Sequence, residues 1–130
     1  MSRFRDAILV VLAGFGISPA AAQDFAPGEK LSLFHCGRCH VINERNKYGG
    51  IGSTPSFGAL RTLEDWENRF LAFYTLAPHP AFTQIEGVTD PFPINRPSPI
   101  HPMELTEEEI EEIIEFARTI APKDLGAPVR

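Results

Sequence analysis

Residues 27–40 read Pro27-Gly28-Glu29-Lys30-Leu31-Ser32-Leu33-Phe34-His35-Cys36-Gly37-Arg38-Cys39-His40, and both cysteines of the 130-residue chain fall at the end of this stretch. Pro27 suits the first turn of a helix, where its missing N–H costs nothing. Leu31 and Phe34, three residues apart, share one face, so a helix is expected from about Pro27 to Cys39. Two cysteines are too few for a disulfide framework. If they matter, they matter as a pair, one helical turn apart, with an imidazole immediately after the second.

Cys36-Gly37-Arg38-Cys39-His40 has the order of a c-type haem attachment site. Two thiols a turn apart can add to the two vinyl groups along one edge of a porphyrin. The next side chain then lies over the ring plane, where its imidazole can bind iron as the proximal ligand. Cys-Gly-Arg-Cys also suits a dithiol redox site, and Thr54-Pro55 could mimic the proline turn that accompanies one. Such a site follows a buried strand within a βαβ pattern, and residues 24–35 contain no such run. Zinc would need two more ligands at matching spacing, with His79 and His101 the histidines left to supply them. The context favours haem.

The beginning of the chain points the same way. Arg3 and Arg5 precede an apolar run from Ala7 to Ile17 and then Ser18-Pro19-Ala20-Ala21-Ala22. This is the three-part pattern of a secretory signal peptide cleaved near Ala22, and the run is too short for a membrane-spanning helix. Residues 1–22 are therefore expected to be removed, leaving residues 23–130 as one exported domain without a membrane span, placed by this pattern in a bacterial periplasm. The formal net charge of −5 excludes a protein whose main partner is nucleic acid.

Two further helices are expected. One starts with Thr62 as N-cap, carries Leu63, Trp66, Phe70 and Phe73 at spacings of three and four, and ends before Pro78. The other is announced by Thr106 and Glu109, a capping box, followed by an apolar stripe of Ile110, Ile113, Ile114, Ala117 and Ile120 and closed by Pro122. Between them, residues 78–102 hold seven prolines and show neither helical nor alternating periodicity. No segment alternates convincingly as a strand. A loop this long in a small domain makes sense when it wraps a site, and a large apolar cofactor would supply the core that three short helices lack.

These features together resemble the class I cytochrome c family. The resemblance implies an all-α fold of three to four short helices around one haem c, covalently bound through Cys36 and Cys39. The N- and C-terminal helices would cross near it, and the proline-rich loop would cover its far side. Gly28 stands where the family carries a glycine at the helix crossing, and Ile113 and Phe116 match the residues it meets. Ser32 departs from the pattern, which usually has an aromatic there; Phe34 is the side chain placed to compensate. Thr54-Pro55-Ser56-Phe57 looks like the turn whose proline carbonyl accepts a hydrogen bond from the proximal histidine.

The resemblance implies a methionine as the sixth iron ligand, from a loop before the last helix. Met103 is the methionine available once Met1 is removed with the signal. It stands three residues before the Thr106 cap, closer than is usual, where the family commonly has a buried apolar side chain. His79, in Pro78-His79-Pro80-Ala81-Phe82, is a rival, and His101 and an open position are further alternatives. Methionine raises the reduction potential, two histidines lower it, and an open site admits small ligands.

The expected function is single-electron transfer between redox protein partners, the protein being a carrier and not an enzyme. A haem protein that binds a small ligand or peroxide, or a haem-bearing subunit of a larger oxidoreductase, are the alternatives. Arg38 and Arg61 are candidates to pair with haem propionates. The seven glutamates between Glu104 and Glu115 read as a solvated helix face or a docking surface for a basic partner.

Overall fold

The computed structural model describes residues 25–126, so the expected signal segment 1–22 lies outside the described residues. Helix α1, Pro27–Leu31, continues without a break into a wider turn over Ser32–Cys36 that closes with an i→i+5 bond from the Gly37 N–H to the Ser32 carbonyl (2.9 Å). Helices α2, Phe57–Leu60, and α3, Trp66–Leu71, follow, and helix α4, Glu107–Thr119, comes last. Short 3₁₀ turns lie at Glu44–Asn46, Phe73–Thr75 and His79–Ala81. The architecture is the expected helical one. Among the described residues no helix is long and apolar enough to cross a membrane.

The α4 capping box forms as its sequence dictates. The Thr106 side chain accepts from the Glu109 N–H (3.2 Å), and the Glu109 carboxylate accepts from the Thr106 N–H (2.9 Å). Two of the orphan donors at the helix start are thereby satisfied. Glu107, Glu108 and Glu109 face the positive end of the helix dipole. Ile110, Ile113, Ile114 and Ala117 are buried and join Ile42, Phe57, Phe70, Ile85 and Leu105 in one core.

Helix α1 crosses α4 at Gly28. A Cβ there would meet the Glu112 backbone carbonyl and lie 2.8 Å from the Phe116 Cβ, so only glycine allows this approach. Ser32, at the family's aromatic position, is fully buried, and its hydroxyl donates to the Gly28 carbonyl (2.6 Å). Phe34 does not compensate for it. Its side chain is 79% exposed and stands at the mouth of a cleft. Winding more residues into the turn after Ser32 means that a spacing of three no longer returns to the face of Leu31.

Two other expectations are corrected. Helix α3 begins at Trp66 with Asp65 before it, not at Thr62; the Thr62 hydroxyl instead donates back to the Ala59 carbonyl (2.7 Å), which continues the turn that ends α2. The proline-rich region contains one strand and leads into another. Strand β1, Thr83–Ile85, pairs in parallel with strand β2, Met103–Leu105, with Gln84 opposite Glu104. Three residues are too few to display alternation, so their pairing is visible only once the chain is folded. Both ends of the proline-rich segment reach the cleft, at His79 and Phe82 on one side and at Ile100, His101 and Pro102 on the other.

Candidate functional site

The cleft, of about 270 Å³, lies between the end of the first helix and the segments flanking the strand pair. Cys36, Cys39 and His40 line it, so the fold brings the whole motif to one wall. The turn that presents them is local: the N–H groups of Cys39 (3.1 Å) and His40 (2.9 Å) both donate to the Cys36 carbonyl. Asn46 holds this turn from behind. Its amide nitrogen donates to the His40 carbonyl (2.9 Å) and its amide oxygen accepts from the Ile42 N–H (2.8 Å). Gly50 has φ of 77°, and a Cβ there would lie 3.1 Å from the Cys39 carbonyl oxygen, so a side chain would be strained behind the motif. Glu29 ties α1 to the loop by accepting from the Asn43 amide (2.8 Å) and the Arg45 Nε (2.9 Å).

The His40 ring is anchored. Its Nδ1 lies 2.7 Å from the Pro55 carbonyl, the partner expected from the Thr54-Pro55 turn, which leaves Nε2 available. Burial, with a smaller contribution from nearby His79, outweighs the Pro55 bond and holds the imidazole pKa below its usual value of 6.5. His40 is therefore neutral near neutral pH, the state in which an imidazole can bind a metal. Phe57 packs edge-on against this ring, centroids 5.9 Å apart.

Burial pushes the Cys36 thiol up to about 12, and the neighbouring Cys39 adds to the shift. A dithiol exchange site needs a thiol lowered towards neutrality by positive surroundings. Cys36 is held in the opposite direction, against the dithiol reading.

Met103, His79 and His101 all line the same cleft. Met103 is half-buried and packs against the core, its N–H donating to the Phe82 carbonyl (2.8 Å). His101 is exposed, with Nδ1 3.0 Å from the carbonyl of Pro102. Arg38 lines the cleft, whereas Arg61 does not: its Nε donates to the Ile120 carbonyl (3.2 Å) and its guanidinium stacks on Trp66 (3.9 Å). Of the aromatic residues from Trp66 to Tyr74, Phe70 is core, Trp66 packs against the core, and Phe73 reaches the cleft, with Tyr74 beside it also against the core. Asn46 is the site residue that sequence reasoning missed. Its signal was the Asn43-x-x-Asn46 spacing, which forms a small capping box around the 3₁₀ turn.

A cleft lined by two thiols and a carbonyl-anchored imidazole, behind a glycine-mediated crossing of the first and last helices, matches what family comparison finds. The family model for cytochrome c matches residues 25–121. The chain belongs to the class I cytochrome c family. Cytochrome c-552 of Bradyrhizobium diazoefficiens is 32% identical to it over 76 residues, covering 58% of this chain and 72% of that protein. No solved structure matches the chain significantly. Membership implies a covalently bound haem c, electron carriage as opposed to catalysis, and redox partners. The residues present fit that group: thiols stand at one wall of an apolar cleft, and a neutral imidazole is anchored beside them.

Proposed function

We propose that this cytochrome is a periplasmic carrier of single electrons between redox protein partners. Residues 23–130 would form the exported domain. Cys36 and Cys39 would tether one haem through thioether bonds, and His40 would be its proximal iron ligand. The observation that carries the reading is the His40–Pro55 hydrogen bond next to the two cleft-facing cysteines. A carbonyl on Nδ1 fixes the tautomer, orients the ring and raises the basicity of Nε2, as in metal-bound histidines generally.

When bound, haem iron supplies a one-electron couple. The chain's own contribution is rigidity, burial and choice of ligand, which set the potential. Asn46 ties down the motif backbone and Pro55 the imidazole, which would keep the His40 ring oriented toward a bound haem. Phe73, Phe82 and Ile100 give the cleft apolar lining. Arg38, which lines the same cleft, would be the side chain to pair with a haem propionate.

Reduced and oxidised spectra of the purified holoprotein test this reading. Reversible one-electron reduction of a covalently held haem is expected. A colourless protein from cells that mature a control cytochrome would refute it.

A further inference from the structure

Met103 is the sixth ligand that the family pattern favours, but the cleft geometry points to another residue: we infer that His79 is the distal iron ligand and that the centre is a bis-histidine one. The inference rests on the haem attachment proposed above. The His79 and His40 rings are parallel to within 6°, with centroids 6.2 Å apart. A metal–imidazole bond is about 2.0 Å and the nitrogen stands about 1.2 Å from the ring centre, so two ligands trans across one metal place their centres roughly 6.4 Å apart. The observed spacing of 6.2 Å leaves room for one metal between the two rings.

The second histidine is also prepared in the same way as the first. Its Nδ1 lies 3.0 Å from the Leu76 carbonyl, as that of His40 does from Pro55, and among the described residues neither Nε2 has a hydrogen-bond partner. Two imidazoles on facing segments of one cleft, each anchored to a backbone carbonyl, have the outer-sphere arrangement of metal ligands twice over. Phe73 (centroids 5.2 Å, 86°) and Phe82 (5.8 Å, 61°) bracket the His79 ring edge-on and restrict its rotation. The 3₁₀ turn His79–Ala81 holds its backbone, with the Phe82 N–H donating to the His79 carbonyl (3.0 Å).

Neither rival is arranged like this. Met103 packs against the core from a strand whose register is fixed by its pairing with β1. His101 turns its Nδ1 to its own neighbour, and among the described residues no aromatic ring packs against it as His79 packs near His40. Two histidines lower the potential relative to histidine and methionine, so this carrier would serve the low-potential end of an electron-transfer sequence.

The test uses purified holoprotein whose haem survives denaturation, which establishes the attachment independently. The ferric wild type is expected to be low-spin and to lack the far-red sulfur-to-iron charge-transfer band. Met103→Leu should leave the spectrum unchanged. His79→Gly should lose the bis-imidazole signature in electron paramagnetic resonance and recover it on addition of free imidazole. His79→Met should raise the reduction potential. A sulfur-to-iron band in the wild type that disappears in Met103→Leu would overturn the assignment while leaving the haem reading intact. So would a His79→Gly spectrum identical to that of the wild type. Protein without covalent haem would overturn both.

Discussion

Replacing Gly28 by alanine adds a single methyl group at the tightest point of the fold. Built on the existing backbone, that carbon lies 2.6 Å from the Glu112 carbonyl carbon and 2.8 Å from the Phe116 Cβ, and closer still to the Glu112 oxygen. Ordinary carbon–carbon contacts are about 3.5–4.0 Å, so α1 and α4 must separate by roughly 1 Å. The obstruction is mainly backbone and cannot rotate aside, which places the cost at the upper end of overpacking, about 3 kcal/mol. Alanine recovers about 1 kcal/mol of helix propensity over glycine, leaving a net loss of about 2 kcal/mol. With a urea slope of about 2 kcal/mol per molar, the unfolding midpoint should fall by about 1 M. The assay is urea unfolding of the holoprotein followed by far-ultraviolet circular dichroism and by haem absorbance. Coincident transitions justify a two-state treatment. A midpoint that stays put or rises, at unchanged slope, would refute the close-approach argument.

Other predictions concern single contacts. Thr106→Ala removes the cap from the Glu109 N–H and should cost about 1 kcal/mol, whereas Thr106→Ser should retain most of the stability; thermal unfolding distinguishes them. Among the described residues the Thr83 hydroxyl is buried without a hydrogen-bond partner, so Thr83→Val should be neutral or stabilising, and a loss above about 1 kcal/mol in the same assay would count against it. A hydrogen bond and ion pair with Arg118 lower the Glu67 carboxyl below its usual value of 4.5. Because the folded value is the lower one, this stabilisation is present above 4.5 and is lost as pH falls through the folded value. The pair is about half exposed, so its effect is small and sensitive to salt. Glu67→Gln should therefore melt slightly below the wild type at neutral pH and low salt, and together with it in strong acid.

Signals that act within one turn were legible in the sequence. The Thr106–Glu109 box and the Ile110–Ala117 stripe form as read, because capping and helical periodicity need only neighbours along the chain. The motif from Cys36 to His40 reaches one wall of the cleft for the same reason. Gly28 was legible through the family resemblance, and Glu112 explains why it must be glycine. What the sequence hid depends on residues far apart. The β1–β2 pair joins segments about 20 residues apart, each too short to show its period. Thr62 has the right chemistry for a cap, but the end of α2 uses its hydroxyl, and α3 starts later. Phe34 followed a spacing of three that the widened turn after Ser32 does not keep. His79 was one candidate among several by chemistry; what distinguishes it is a ring parallel to that of His40 at 6.2 Å, a property of the folded loop.

The central claim is that Cys36 and Cys39 hold one haem covalently. Intact mass of the denatured protein, purified from periplasm supplied with a haem-attachment system, tests it most directly. The predicted result is the chain beginning just after Ala22 plus one haem, with no titratable thiol, and loss of that haem when both cysteines are replaced by serine. A chain at its haem-free mass, with both thiols open to alkylation, would contradict the account.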